Sequence, residues 1–325
     1  MHDIAEFLLS SPTDAVRSPV DSAGVWAPRA PLPFASSIAR AAAGGFLADR
    51  VGYAFAAGYQ EALVCLLAGT PFADHPSQPM ALCATEDGGA HPRAILTTLS
   101  PQDPSDPDSP LYLDGQKRFV TLGDQARWLL IVAARGADPD GRRRLAGVVI
   151  ESNRAGVTLA AAPPTPFVPE IPHASIRLDR VPIRPTDVLP GDGYDRYLKP
   201  FRTIEDAHVH AALLGHLIQI GRRFAWPRER LADALQLLCA LLPIGSSPPL
   251  SAAVHVALAG VIAGTARFVK DCSTLWSQVD ADIAGRWERD ARLLHVASHA
   301  RGLRLQSAWS SLGYAVESPP QTGKP

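Results

Sequence analysis

Apolar and polar positions change their spacing twice along the chain. Between residues 33 and 69, Leu47, Val51, Phe55, Tyr59 and Leu63 recur every four positions in an Ala- and Leu-rich stretch. That spacing predicts helix, with these side chains on one slowly drifting face. The pair Gly44-Gly45 is expected to break it into two helices. From Met80 to Pro185 the texture is short and alternating: MALCAT, RAILTTL, PLYLDG, RFVTL, WLLIVAA, LAGVVIES, GVTLAA and ASIRLDRV, separated by turn residues. Several short runs at such spacing predict a compact all-β unit, a small barrel or sandwich. After Gly191-Asp192-Gly193 the pattern turns helical again over 200–223, 228–242, 250–280 and 283–312. In the last of these, Trp287, Ala291, Leu294, Leu305, Trp309 and Leu312 keep a three-to-four spacing.

These segments predict an α+β chain. An N-terminal helical region (1–79) precedes a β-domain (80–188), an antiparallel four-helix bundle (189–316) and a disordered tail (317–325). Helices and strands are segregated rather than alternating, and no GxGxxG is present, which argues against a dinucleotide-binding parallel sheet.

Composition narrows the function classes. Hydrophobic residues make up 46% of the chain, enough for a sizeable core. With 31 basic and 32 acidic residues the net charge is −1, so no nucleic-acid partner is expected. The densest basic run, Arg142-Arg143-Arg144, follows an Asp-Pro-Asp-Gly turn and reads as solvated. Cys65, Cys83, Cys239 and Cys272 have neither CxxC spacing nor a disulfide pattern, which fits a reduced, cytoplasmic protein. The acid-bearing N-terminus does not read as a secretory signal. The apolar stretch 252–266 contains His255 and falls short of the ~20 residues a membrane span needs. It reads as a buried bundle helix.

Candidate chemistry centres on residues 111–136, LYLDGQKRFVTLGDQARWLLIVAARG. The runs FVTL and WLLIVAA could be a β-hairpin or one wall of a cofactor site. On a regular strand Phe119 and Thr121 would share a face. Two histidine pairs also stand out. His208 and His210 are two apart and do not share a helix face; His295 and His299 are four apart and would, but no third metal ligand is evident. Partly exposed helix histidines are the plain reading.

Three motifs, in order, resemble the acyl-CoA dehydrogenase family. LCATEDGGAHP (82–92) resembles its "TEPGAGSD" segment. LDGQKRFVTLGDQARWLLIVAAR is similar to its "NGxKxFITNgxxADxxLVxAR", and IRLDRVPIRPTDVLPGDG (176–193) to its "FddVrVPxxnlLG". The resemblance implies FAD as cofactor, with Thr85, His91, Phe119 and Thr121 against it. It also implies an acyl-CoA or carrier-linked acyl substrate, oxidised at Cα–Cβ by proton abstraction and hydride transfer. Ala, Leu and Val fill nearly every turn of 250–266, more than one stripe requires, which predicts self-association through the C-terminal helices as a homodimer or homotetramer; the resemblance implies an electron-transfer flavoprotein or a related paralogous subunit as further partner. His91-Pro92 replaces the family's Ser-Asp. The "RxxFG" segment that grips the FAD diphosphate is not found, and neither is the C-terminal "EGT" glutamate. TIEDAHVHAALLG (203–215) resembles the helix where some members place the glutamate instead, making Glu205 the implied base, followed by Asp206 where they have arginine. Such departures also admit a member that has lost catalysis and serves as subunit or binding protein. A flavin monooxygenase of the same fold is a further alternative.

Overall fold

The computed structural model describes residues 2–315, apart from 21–24, 28–29, 73–76, 107 and 140. The tail 317–325, expected to be disordered, lies outside the described residues. The elements are α1 (His2–Ser10), α2 (Ser37–Phe46), α3 (Val51–Leu66), then β1 (Met80–Cys83), β2 (Thr98–Pro101), β3 (Leu111–Thr121), β4 (Trp128–Ala137), β5 (Arg143–Glu151), β6 (Val157–Ala161) and β7 (His173–Ile183). Helices follow: α4 (Lys199–Arg223), α5 (Arg228–Gly245), α6 (Ala252–Asp271), α7 (Ala281–Asp290) and α8 (Ser298–Ser311).

The strands form one mixed sheet of seven, in the order β1-β4-β2-β3-β7-β6, with β5 paired to β4. β1 and β2 run parallel to β4, and the remaining pairs are antiparallel. The sheet wraps around its own core. Leu129, Ile131 and Ala133 of β4, Val148 and Ile150 of β5, Leu113 of β3 and Ile176 and Leu178 of β7 meet in one buried cluster. The alternate residues Leu130 and Val149 point the other way, into the core shared with the helices. β3 and β4 are not a hairpin: β3 pairs with β2 and β7, and β4 with β1, β2 and β5.

The break between α2 and α3 falls at residues 47–50 rather than at Gly44-Gly45. Both glycines lie inside α2 and serve packing. A Cβ on Gly45 would stand 1.9 Å from the Ala212 carbonyl oxygen of α4, and one on Gly44 2.9 Å from Ala57 Cβ of α3. Gly215 of α4 repeats the arrangement against Ala42 O (2.1 Å), and Gly58 of α3 against Val209 Cα (2.7 Å). Helix backbones can approach this closely only where side chains are missing, so these crossings seat α4 against both α2 and α3, which touch each other at Gly44. Helices α5, α6 and α8 then pack on in sequence, with α4 also touching α6.

The predicted helix 283–312 is two helices. At the break the buried Asp290 carboxylate accepts the Val168 N–H (2.7 Å) from the β6–β7 connection, and residues 291–295 tighten into a 3₁₀ turn. His295 and His299 therefore do not share a helix. α6 reaches 20 residues, longer than its apolar sequence stretch suggested. By length and composition alone it could cross a bilayer, yet it packs against α4, α5 and α8.

Candidate active site

α4 begins where the chain leaves the sheet. Asp192 accepts the N–H groups of Tyr194, Asp195 and Leu145, fixing the approach, and the Tyr197 hydroxyl donates to Pro190 O (2.8 Å). Pro200 sits in the helix's first turn, where its missing N–H costs nothing. Glu205 follows one turn later. Its side chain is partly covered, and among the described residues its carboxyl makes no hydrogen bond. Burial pushes that carboxyl up to about 8. The Asp206 charge acts in the same direction, and Arg301 and Arg202 oppose it.

Asp206 points elsewhere. It is buried and accepts from Arg301 Nε (2.9 Å) and Nη2 (2.7 Å) and from Arg304 Nη2. The arginine expected after the glutamate is thus supplied twice from α8, with the carboxylate on α4. This pairing is invisible in local sequence.

Glu205 shares a cavity of about 240 Å³ with Thr121 and His173 at the other wall, and Phe55, Phe167 and Val209 contribute apolar surface. Phe55 stacks on Tyr59, which meets Phe201 edge-on, so an aromatic floor runs beneath α4. Two larger spaces exist. One of about 290 Å³ is lined by Arg40 and Glu61, which pair at 2.8 Å. The other, about 940 Å³, is an open cleft beside Asp192, whose oxygens already accept backbone N–H groups. Of these three spaces, among the described residues, the Glu205 cavity is the one that combines a carboxyl without a hydrogen bond and a residue of the candidate cofactor wall.

That wall is made by a bulge. Lys117 is opposite Ile176 and Val120 opposite Ala174, so β3 carries one residue more than β7 between these pairs. Phe119 absorbs it at φ +53° and stands 75% exposed. Simple alternation therefore does not relate Phe119 to Thr121. Instead the bulge lets Lys117 and Val120 both turn inward, leaving Arg118, Phe119 and Thr121 on the outer side. Lys117 is fully buried, donating to Glu86 Oε1 (2.7 Å) and Val132 O (2.6 Å). Glu86 in turn accepts the N–H groups of Leu96 (2.8 Å) and Thr97 (3.0 Å). This clamp holds the loop after β1 to the bulged strand.

Thr85, in that loop, is half-buried, and its carbonyl accepts the Arg118 N–H (2.8 Å), so it lies beside Phe119. Neither Thr85 nor His91 lines the Glu205 cavity. His91 is exposed, and its Nδ1 accepts the Arg93 N–H (3.3 Å) at the start of a 3₁₀ turn. The structure thus brings Thr121 and Glu205 together, sets Phe119 and Thr85 at the next step of the wall, and leaves His91 apart. Sequence reading missed His173, Arg301 and Phe55. His173 had a usable signal, since an antiparallel partner for Thr121 must lie on a neighbouring strand.

His208 and His210 are fully buried, not partly exposed, because α4 is covered on every side. Burial pushes both down to about 4. Each Nδ1 bonds the carbonyl one turn back, of Ile204 and Asp206 respectively, at 2.7 Å.

The sequence matches no family model and no curated protein. Solved structures do match. Butyryl-CoA dehydrogenase from Megasphaera elsdenii superimposes with TM-score 0.64 at 14% identity, over 95% of this chain and 89% of that one. FMN-bound TdsC from Paenibacillus sp. A11-2 gives 0.64 at 18% identity, over 87% and 86%. The FAD complex of PigA gives 0.64 at 12% identity, over 96% of each. The fold is that of the acyl-CoA dehydrogenases. Within this fold, the Glu205 cavity of this chain lies between the β-sheet and α4.

Proposed function

We propose that this protein is a flavin-dependent oxidoreductase that dehydrogenates an acyl thioester, with Glu205 as the base. One observation carries the reading. A carboxyl without a hydrogen bond, raised to about 8, lines the same cavity as the strand residue Thr121. A base poised near the working pH is what α-proton abstraction requires.

The ring end of a flavin fits the groups present. Phe119 offers an exposed flat surface, Thr121 a hydroxyl, and Thr85 lies beside them. Among the described residues lining the Glu205 cavity, Arg301 is the one cation, and Asp206 already engages it. A bound flavin supplies the hydride acceptor. Glu205 takes the α-proton, and Phe55, Phe167 and Val209 keep water from the carboxylate. The Asp206–Arg301–Arg304 cluster holds α8 against α4 and fixes the Glu205 side of the cavity. The cavity lies below the usual ~300–1,000 Å³ of ligand pockets, which supports a short or compact acyl group on CoA or a carrier protein. The exposed Leu303, Leu312 and Tyr314 and the apolar surface of α6 support self-association, as homodimer or homotetramer. An electron-transfer flavoprotein or a related subunit would take the electrons onward.

The test is the visible spectrum of the purified protein, followed by anaerobic acyl-CoA. Bound flavin that bleaches with wild type and not with Glu205→Gln supports the proposal. Flavin that binds but never bleaches with acyl thioesters moves the chain to the oxygen-using flavoproteins of this fold. A protein that takes up no flavin is a binding module.

A further inference from the structure

The connection between β6 and β7 closes one end of the Glu205 cavity, with Thr165, Phe167, Val168 and Ile171 on the lining. Five of the ten residues 163–172 are proline, which leaves the segment few conformations of its own. It is nonetheless held in one that local preference disfavours: the β-branched Val168 stands at φ +42°. Two hydrogen bonds stiffen it from within. The Thr165 hydroxyl donates to Phe167 O (2.6 Å), and the Ile171 N–H donates to Val168 O (2.9 Å).

The segment is fastened on two sides. On one, Asp290 accepts the Val168 N–H at 2.7 Å. Asp290 is fully buried and ends α7, where the helix dipole disfavours an acid. Arg289 offsets this with Nε and Nη2, each 2.7 Å from an Asp290 carboxyl oxygen. A buried acid that its own helix disfavours is accounted for by the loop it holds. Leu293, Val296 and Ala297, just beyond Asp290, line the same cavity. On the other side, a Cβ on Gly52 would stand 2.3 Å from Glu170 Oε1, so the first turn of α3 is bare where Glu170 crosses it. Phe55, three residues on, is again a cavity residue.

We infer that the β6–β7 connection is a fixed stop that limits the size of the group the Glu205 cavity admits. Phe167, the largest of its four lining side chains, sets the limit, and Asp290 is the positioning residue that holds it there. The inference rests on the proposed function and names what selects its substrate. A flexible wall would yield to a longer acyl chain. This one has Pro166 and Pro169 on either side of the Phe167-Val168 pair and a tied amide within it.

The experiment compares butyryl- and octanoyl-CoA as reductants of the flavin-loaded protein. Asp290→Ala should raise the octanoyl-to-butyryl ratio of kcat/KM by about tenfold or more, mainly through the KM for octanoyl-CoA. A general loss of stability lowers both substrates alike and leaves that ratio where it was. Asp290→Asn, whose amide oxygen still accepts the Val168 N–H, should return the ratio most of the way. Phe167→Ala should move it in the same direction as Asp290→Ala by removing bulk. Hydrogen exchange of the fragment 163–172, measured without flavin, should show a slow Val168 amide in wild type and a fast one in Asp290→Ala. An unmoved ratio in Asp290→Ala overturns the inference and leaves the proposed function standing. If Asp290→Ala does not fold, an unmoved ratio in Phe167→Ala overturns it instead. A wild-type fragment that exchanges throughout at the rate of a free chain overturns the stop alone. Wild-type flavin that no acyl thioester reduces overturns the proposed function, and the size limit with it.

Discussion

Asp206 on α4 accepts hydrogen bonds from Arg301 on α8, at 2.9 Å from Nε and 2.7 Å from Nη2. Among the described residues the neighbouring Glu205 accepts none, so adjacent carboxyls have opposite environments. Asp206 is held by Arg301 and Arg304, whereas Glu205 is partly covered and raised to about 8. Asp206→Asn removes a charge that raises Glu205, so the Glu205 carboxyl should move to lower pH, and the alkaline rise in flavin reduction should move with it. The same change leaves two guanidinium groups partly buried without their anion and should cost about 3 kcal/mol of stability. Stopped-flow reduction against pH and a urea melt read the two effects separately.

Glu205 should also show in the stability of the protein without any ligand. Its folded pKa lies above the ordinary 4.5, so the folded state binds the proton more tightly than the unfolded chain. The stabilisation is complete below about 4.5 and is lost as pH rises toward 8. Glu205→Gln should therefore match wild type near pH 5 and exceed it at pH 9. A tenfold difference in proton affinity between folded and unfolded chain is worth about 1.4 kcal/mol, and partial solvent screening reduces the total to about 2–3 kcal/mol. Denaturation at the two pH values checks this, and equal curves at pH 9 would leave Glu205 an ordinary solvated glutamate.

The Lys117–Glu86 clamp should behave as a buried pair. Lys117→Met strands the Glu86 carboxylate and should cost about 3–5 kcal/mol. Adding Glu86→Gln should recover much of that, because the stranded charge disappears. A double-mutant cycle by chemical denaturation reads the difference, and strict additivity would rule the clamp out.

FAD should bind weakly by the standard of this fold. The sequence lacks the RxxFG segment through which members of the family it resembles hold the diphosphate, and each missing charge-assisted hydrogen bond costs about 1.5–3 kcal/mol. Two such losses amount to roughly two to four orders of magnitude in affinity. Fluorescence titration should return a micromolar rather than nanomolar Kd.

How far sequence reaches is clearest at three places. A motif and a helix start single out Thr121 and Glu205 locally, and the fold brings both to one cavity. The Phe119–Thr121 relation was reached by the wrong route. Alternation assumes a regular strand, and the extra residue at Phe119 shows only in its pairing with β7. Gly44-Gly45 read as a helix break because glycine disfavours helix. The reason for these glycines is Ala212 and Ala57 standing where side chains would be, and Ala212 is contributed by a helix beyond the whole sheet. Arg301 and Arg304 carry no local sign of their task, since Asp206 is nearly a hundred positions away.

The glycine crossings also impose an order on biosynthesis. At Gly45 and Gly58, α2 and α3 present bare backbone to α4, and the entire β-sheet is made before α4 exists. At about 5–20 residues per second, the N-terminal helices wait on the order of ten seconds for the surface they fit. A nascent chain paused within the sheet would expose the Ala-rich groove of α2 and α3 until α4 arrives to fill it.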